Sequence, residues 1–327
     1  MTRVLAALAV ACLAACSNPP AATTPAASGD PYADIKAEDG RGVGKPLDEP
    51  IDLAIDLTQA DANTRLPATV HAAVRKAGPW SGKLAVLWTE VGTSSAQYRE
   101  ILREWARMGH HALALPLGVA KPLAQVCAGQ PANCFENARW ELLDGTERTD
   151  ALKVAYADSA TNRVGLVTLE LAKSGQGWGQ FSENGKPLWA KVIAAGHGDG
   201  AGQAAFVGTQ LQVARVVLLA GPSDGQPGKP APWMTASHKT AHTQWYAFGH
   251  TGDPGWAAVS AAWTALGFGP GAAAWPSVDQ GAVMGVQAYT TALQHADPHG
   301  AVATDGGPTA ADGKPRYRAT WRNLAGP

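Results

Sequence analysis

The stretch Lys191–Gly202, K-V-I-A-A-G-H-G-D-G-A-G, constrains the backbone of this chain more than any other. A short apolar run, Val192 to Ala195, meets glycines at 196, 198, 200 and 202, and an Ala-rich helical pattern follows from Ala201 to Val213. Strand, sharp glycine-lined turn and helix form the context of a nucleophile elbow, G-x-S-x-G. In that motif the outer glycines let strand and helix approach, and the strained central residue exposes its side chain. Gly196 and Gly200 fill the outer places, but the centre is Gly198. Gly196, Gly198 and Ala201 also fit G-x-G-x-x-[GA], with Asp224 about 20 residues on, which is a dinucleotide-binding pattern. Position argues against it, because that fingerprint normally opens its domain, whereas roughly 190 residues precede it here. A glycine-rich crossover with no site is the third reading.

The N-terminus sets the compartment. Residues 1–16, MTRVLAALAVACLAAC, carry one basic residue and then an apolar run of signal-peptide length, too short to span a bilayer as a permanent helix. Leu13-Ala14-Ala15-Cys16 resembles a bacterial lipobox, in which the cysteine is lipidated and becomes the mature N-terminus. Ser17 after that cysteine resembles the pattern sorted to the outer membrane in Gram-negative bacteria. Residues 17–50, rich in Pro, Ala, Gly, Thr and Asp, read as a flexible tether. The expected product is an exported domain, residues 51–327, lipid-anchored at the outer membrane and facing the periplasm or the cell surface. Its partners would be the membrane, through the lipid, and a small acyl or ester-like ligand. A net charge of −1 with no basic cluster gives no reason to expect nucleic-acid binding.

Of four cysteines, Cys12 leaves with the signal and Cys16 is the lipid site. Cys127 and Cys134 remain, with six residues between them in an exported chain, and are expected to form a local disulfide. A metal site would need further ligands nearby, and none are present.

Hydrophobic spacing supplies the architecture. Leu84–Trp88 and Ala112–Leu115 read as buried strands around a helical Ala96–Met108. Asp158–Lys173 reads as a long helix, and Arg215–Ala220 as the strand after the glycine turn. Trp245–Gly249 and Gln287–Thr291 are weaker strands, while Ala257–Leu266 and Pro315–Leu324 look helical. Strands alternating with helices imply an α/β class with a mostly parallel central sheet and helices on both faces. Gly221–Gln244, with four prolines and no periodicity, reads as a long connection where lids and pocket walls tend to sit.

Several segments together resemble a family of bacterial secreted α/β-hydrolase-fold proteins, esterase- and lipase-like. They are L-W-T-E-V-G-T-S-S-A-Q-Y-R-E-I-L, the Cys127–Cys134 loop with Phe135 and Arg139, and A-D-S-A-T-N-R at 157–163. They continue with V-I-A-A-G-H-G-D-G-A-G-Q-A-A, V-A-R-V-V-L-L-A-G-P-S-D, Y-A-F-G-H-T-G-D-P and D-P-H-G-A-V. The likeness covers about residues 60–325, and it leaves a dinucleotide-binding domain as the weakest of the alternatives. It implies a carboxylic-ester hydrolase fold needing no cofactor, with a triad in the chain order Ser, acid, His. Taken alone, Asp253 before Pro254 is a turn residue and His299 a solvated loop histidine; the resemblance makes them the acid and the base.

Two positions depart from that pattern. Gly198 offers no hydroxyl for His299 to deprotonate, so no acyl-enzyme can form there. The oxyanion loop, P-G-T-G in the family, is Thr89-Glu90-Val91-Gly92 here. A carboxylate at Glu90, if it pointed inward, would oppose a developing oxyanion. Asp199 would supply the second oxyanion donor through its backbone N–H, with its side chain directed away. His238/His242 and His295/His299 have helical i, i+4 spacing but lack the Glu of a metal-binding H-E-x-x-H. The expectation is an esterase-like fold impaired in catalysis. The alternatives are an ester hydrolase using another nucleophile or activated water, and a non-catalytic binding or interaction lipoprotein.

Overall fold

The computed structural model describes residues 49–65, 67–226, 228–269, 275–281 and 285–327. The expected signal peptide, Cys16 and nearly all of the expected tether lie outside the described residues. Eight strands make the main sheet: β1 Ile51–Asp56, β2 Thr69–Val74, β3 Leu84–Trp88, β4 His111–Leu115, β7 Val192–His197, β8 Arg215–Leu219, β11 Trp245–His250 and β12 Ala288–Thr291. Their order is β1-β2-β4-β3-β7-β8-β11-β12. The run from β4 to β12 is parallel, and β1 and β2 close one edge as an antiparallel pair. Two small hairpins, β5 Ser182–Glu183 with β6 Lys186–Pro187 and β9 Gly225–Gln226 with β10 Lys229–Pro230, sit outside it.

The central strands are continuous apolar runs because each is buried on both faces. Along β3, Leu84, Val86 and Trp88 face one core cluster, while Ala85 and Leu87 face the other. Val192 and Ala194 of β7 split in the same way from Ile193 and Ala195. Helices α1 Arg99–Arg107 and α8 Arg318–Ala325 cover the second face, through Ile101, Leu102, Trp105, Trp321 and Leu324. The first face is covered by α3 Cys134–Asp144, α4 Ala160–Ala172, α5 Asp199–Gln210 and α6 Trp256–Ala265. Two four-residue helices, α2 Leu123–Val126 and α7 Pro298–Ala301, lie in connections. A mostly parallel eight-stranded sheet with an antiparallel edge and helices on both faces is the α/β-hydrolase fold.

Helix α3 escaped the sequence reading because two of its buried positions are charged, Arg139 and Glu141, which interrupts the apolar stripe. Helix α5 begins two residues before the expected Ala201. Gly198 is its N-cap, and Gly200 and Gly202 lie inside the helix rather than in a turn. Packing explains them: a Cβ on Gly200 would strike the carbonyl of Trp88, and one on Gly202 the guanidinium of Arg139. The connection 221–244 is not featureless, since it holds the β9–β10 hairpin and buries Trp233 and Met234. Cys127 and Cys134 are disulfide-bonded, with Cα atoms 5.7 Å apart. Among the described residues, no helix is long and apolar enough to cross a membrane.

The topology also marks a crevice. From β3 the chain crosses by α1 to β4 on one side, and from β7 it crosses by α5 to β8 on the other. Strands β3 and β7 are therefore neighbours whose following loops part, which is the switch point where open α/β sheets bind ligands. The loop Thr89–Gly92 and the turn at Gly198 flank this point.

Candidate active site

At the carboxyl end of β7 the chain turns into α5 through Gly198, at φ 54° and ψ −116°. The turn is held by the Gly198 N–H donating to Leu219 O at 2.9 Å and by Ala201 N–H donating to Gly198 O at 3.1 Å. Gly196 is obligatory, because a Cβ there would collide with the backbone of Gly200. A left-handed, otherwise strained backbone at the centre of a strand-to-helix turn is the elbow geometry, and glycine adopts it at little cost.

Two further loops converge on it. Asp253 follows β11, is 7% exposed, and accepts the Gly255 N–H on Oδ1 at 2.7 Å. Its Oδ2 lies 2.7 Å from Nδ1 of His299. His299 sits in α7, whose N-cap Asp297 accepts the Gly300 N–H at 3.0 Å. The imidazole is one-third exposed, so solvent reaches it. Its Nε2 is 3.0 Å from the point a Cβ on Gly198 would occupy. Gly198, Asp253 and His299, far apart in sequence, thus meet at one place.

The third group there is Glu90. A Cβ on Gly198 would collide with Glu90 Oε2, and Glu90 Cδ is 2.6 Å from that point. Oε2 also accepts the Asp199 backbone N–H at 2.5 Å. One carboxylate therefore occupies the space that a side chain on residue 198 would take and holds the N–H of the first residue of α5. Thr89 is buried, with its N–H bonded to Leu115 O at 3.1 Å, and Val91 packs against the core. The Asp199 side chain is turned away from the elbow, as expected: Oδ1 accepts the Leu123 N–H at 3.2 Å and lies 3.8 Å from Arg139.

Sequence reasoning missed a clamp behind the site. The Glu90 N–H donates to the Tyr98 hydroxyl at 3.1 Å, and that hydroxyl is 2.9 Å from His197 Nδ1. His197 Nε2 is 3.0 Å from the His299 carbonyl, which can only accept. Nε2 therefore carries the proton, Nδ1 accepts from Tyr98, and the chain ties β3, the elbow and α7 together. The rings of His197 and His299 lie 4.5 Å apart. In sequence Tyr98 falls within the helical pattern Ala96–Met108, and only its hydroxyl signalled another duty. Below the elbow, Arg139 binds Asp224 through two nitrogens, at 2.9 and 2.6 Å, and donates to the Asp199 carbonyl at 2.8 Å. Asp224, which a dinucleotide loop would direct at a ribose, is committed to this pair.

The charges follow from burial and neighbours. Burial, with the Asp199 charge, raises Glu90 to about 7, against the Asp199 N–H bond and the attraction of His299 and Arg139. Burial pulls His299 down, but Asp253 and then Glu90 outweigh it, and its pKa is raised. Burial would raise Asp253, yet the bonds from His299 and Gly255 hold it below its ordinary value. His197 is driven to about 3 by burial and by His299, so it is neutral. Of the paired histidines, His238 stacks on Trp245 at 4.4 Å and His295 Nδ1 lies 2.8 Å from Asp297 O. Among the described residues, no cluster of three or more His, Cys, Asp or Glu is placed to hold a metal ion.

No family model and no curated protein matches the chain. A solved structure from Klebsiella pneumoniae subsp. pneumoniae MGH 78578, provisionally assigned as a dienelactone hydrolase, is similar at 12% identity and a TM-score of 0.37. The match covers 83% of this chain and 94% of that one.

Proposed function

We propose that this chain is a lipid-anchored α/β-hydrolase-fold protein, related to serine esterases and lipases, in which serine-type acyl transfer has been lost. The supporting observation is that the elbow backbone and the His299–Asp253 pair stand without a nucleophile between them. Gly198 has no side chain, and the Glu90 carboxylate fills that space and engages the Asp199 N–H. An ester carbonyl directed at the elbow would meet a carboxylate instead of a hydroxyl and an unoccupied N–H donor. The lipobox-like sequence ending at Cys16 supports anchoring at the outer membrane, facing the periplasm or the cell surface. The switch-point crevice is where a small acyl or ester-like ligand would sit.

The test is a fluorophosphonate probe, which labels only an activated serine, together with p-nitrophenyl acetate and butyrate as substrates. The expected result is no labelling, and no hydrolysis above a heat-killed control. Labelling of the native chain would overturn this reading.

A further inference from the structure

A cavity of about 270 Å³ opens where the segment after α7 meets the starts of α1 and α8. Ala301 and Thr304 line it, whereas Glu90, Gly198, Asp253 and His299 do not. Its walls are tied down. Asp305 accepts the Glu100 N–H on Oδ1 at 2.9 Å, which satisfies one of the first donors of α1. Thr304 Oγ1 donates to Gly300 O at 2.9 Å. The turn that leads toward α8 is closed by the Ala310 N–H donating to Lys314 O at 2.8 Å. We propose that this cavity binds a free amino acid with an apolar side chain. The inference goes beyond the proposed function and is independent of it, because the two sites share no lining residue.

Each part of such a ligand has a counterpart in the lining. Trp321 and Tyr317 have their polar tips engaged elsewhere: the indole N–H donates to Val302 O at 2.8 Å, and the phenol lies 2.9 Å from Thr291 Oγ1. What they bring to the cavity is ring surface, joined by Pro308, Pro315 and Ala301. An apolar side chain laid there leaves water without stranding a polar group.

Glu100 and Asp305 supply two carboxylates for the ligand's ammonium. Arg103 lies 3.7 Å from Glu100 and makes its closer contact, 3.1 Å, with Asp52, so it leaves the Glu100 carboxylate largely unmatched. Partial desolvation raises Asp305 above its ordinary value, against N–H bonds from Glu100 and Arg99 and the charges of Arg99 and Arg103. An ammonium in the cavity would supply the charge that this wall lacks. Lys314 lines the same space, and there it would repel a bare amine. A carboxylate on the same ligand turns Lys314 from an opposing charge into a partner. The volume sets the size, since it falls just below the range of about 300–1,000 Å³ usual for drug-sized ligands, and so suits one amino acid.

The experiment uses the full chain in detergent and isothermal titration calorimetry with three isosteric probes. They are L-leucine, isoamylamine, which is leucine without its carboxylate, and isocaproate, which is leucine without its ammonium. L-leucine is expected to bind, and each analogue to bind about tenfold more weakly. Glu100→Gln combined with Asp305→Asn should weaken leucine by a similar factor and leave isocaproate unchanged. Lys314→Met should weaken leucine and leave isoamylamine unchanged. No heat from leucine, or an analogue that binds the wild type as tightly as leucine, would overturn the proposal. Both readings are taken on the wild type and stand whether or not a variant folds. Leucine binding unaltered in the folded variants would put the ligand elsewhere and overturn it too. Fluorophosphonate labelling reports on the elbow alone, so either reading can fail without the other.

Discussion

The Glu90 carboxylate stands where a side chain on residue 198 would begin, so the two residues exclude any larger partner for each other. In sequence they lie more than a hundred positions apart and look like two independent departures from an esterase pattern. In space they are one feature. Strands β3 and β7 are hydrogen-bonded neighbours, with Trp88 paired to Gly196, so the loops that leave them face each other across the crevice. A glycine at the elbow and a carboxylate on the opposite loop are geometrically complementary.

That carboxylate should make stability depend on pH. Glu90 titrates at about 7 in the folded protein, against an ordinary value of 4.5. The folded state binds this proton more tightly, so the associated stability is fully present below the unfolded value and is lost as pH rises through 7. The displacement corresponds to about 3 kcal/mol at most. Glu90→Gln cannot ionise. Urea unfolding at about pH 4 and about pH 8 should therefore show it gaining on the wild type at the higher pH. An unchanged difference between the two would mean that the carboxylate is not buried as described.

Arg139 and Asp224 should act as a unit. Both side chains are almost fully buried and bidentate, and Arg139 also holds the Asp199 carbonyl at the start of α5. Removing one partner leaves a buried charge alone, so Arg139→Met should cost about 3–5 kcal/mol by urea titration. Asp224→Leu added to it should recover part of that loss. Additive losses in the double variant would show that the pair is not coupled.

The Cys127–Cys134 bond closes a short loop that leads directly into α3, which carries Arg139. Mass spectrometry of the protein purified without reduction should find the two cysteines in one linked peptide pair, lighter by two hydrogens. Replacing both by serine should cost about 2–3 kcal/mol on the chain-entropy account. Free thiols on both would reject the pairing.

Much of this architecture was legible because β3, β4, β7, β8 and β11 are buried on both faces and leave unbroken apolar runs in the sequence. The antiparallel strands β1 and β2 were not: I-D-L-A-I-D only half-buries alternate positions, and the segment follows a proline-rich stretch. The positions of Gly198, Asp253 and His299 came from motif order, and the structure brings them together. What the sequence could not convey was where the Glu90 carboxylate points, since that depends on strand neighbours far apart in the chain. The Tyr98–His197 clamp and the Arg139–Asp224 pair were hidden for the same reason. Each is a contact between buried polar groups on different elements, and no local spacing encodes it.

The Gly198–Glu90 relationship makes an attempt to rebuild a serine site strongly non-additive. Gly198→Ser alone places a Cβ against Glu90 Oε2, so the hydroxyl cannot settle beside His299, and the variant should stay unlabelled by fluorophosphonate. Serine at this positive φ also carries a backbone strain of about 1–3 kcal/mol. Glu90→Gly alone should stay unlabelled too, because it supplies no nucleophile. Together the two substitutions free both the space and the Asp199 N–H, and the residue 90 N–H can still reach Tyr98. The double variant should therefore be labelled, since a hydroxyl would lie within reach of a histidine already oriented by Asp253. Adding His299→Ala should abolish that labelling by removing the base. A double variant that folds, by circular dichroism and urea titration, yet remains unlabelled would show that the turn at Gly198 is not a nucleophile elbow or that His299 does not serve it.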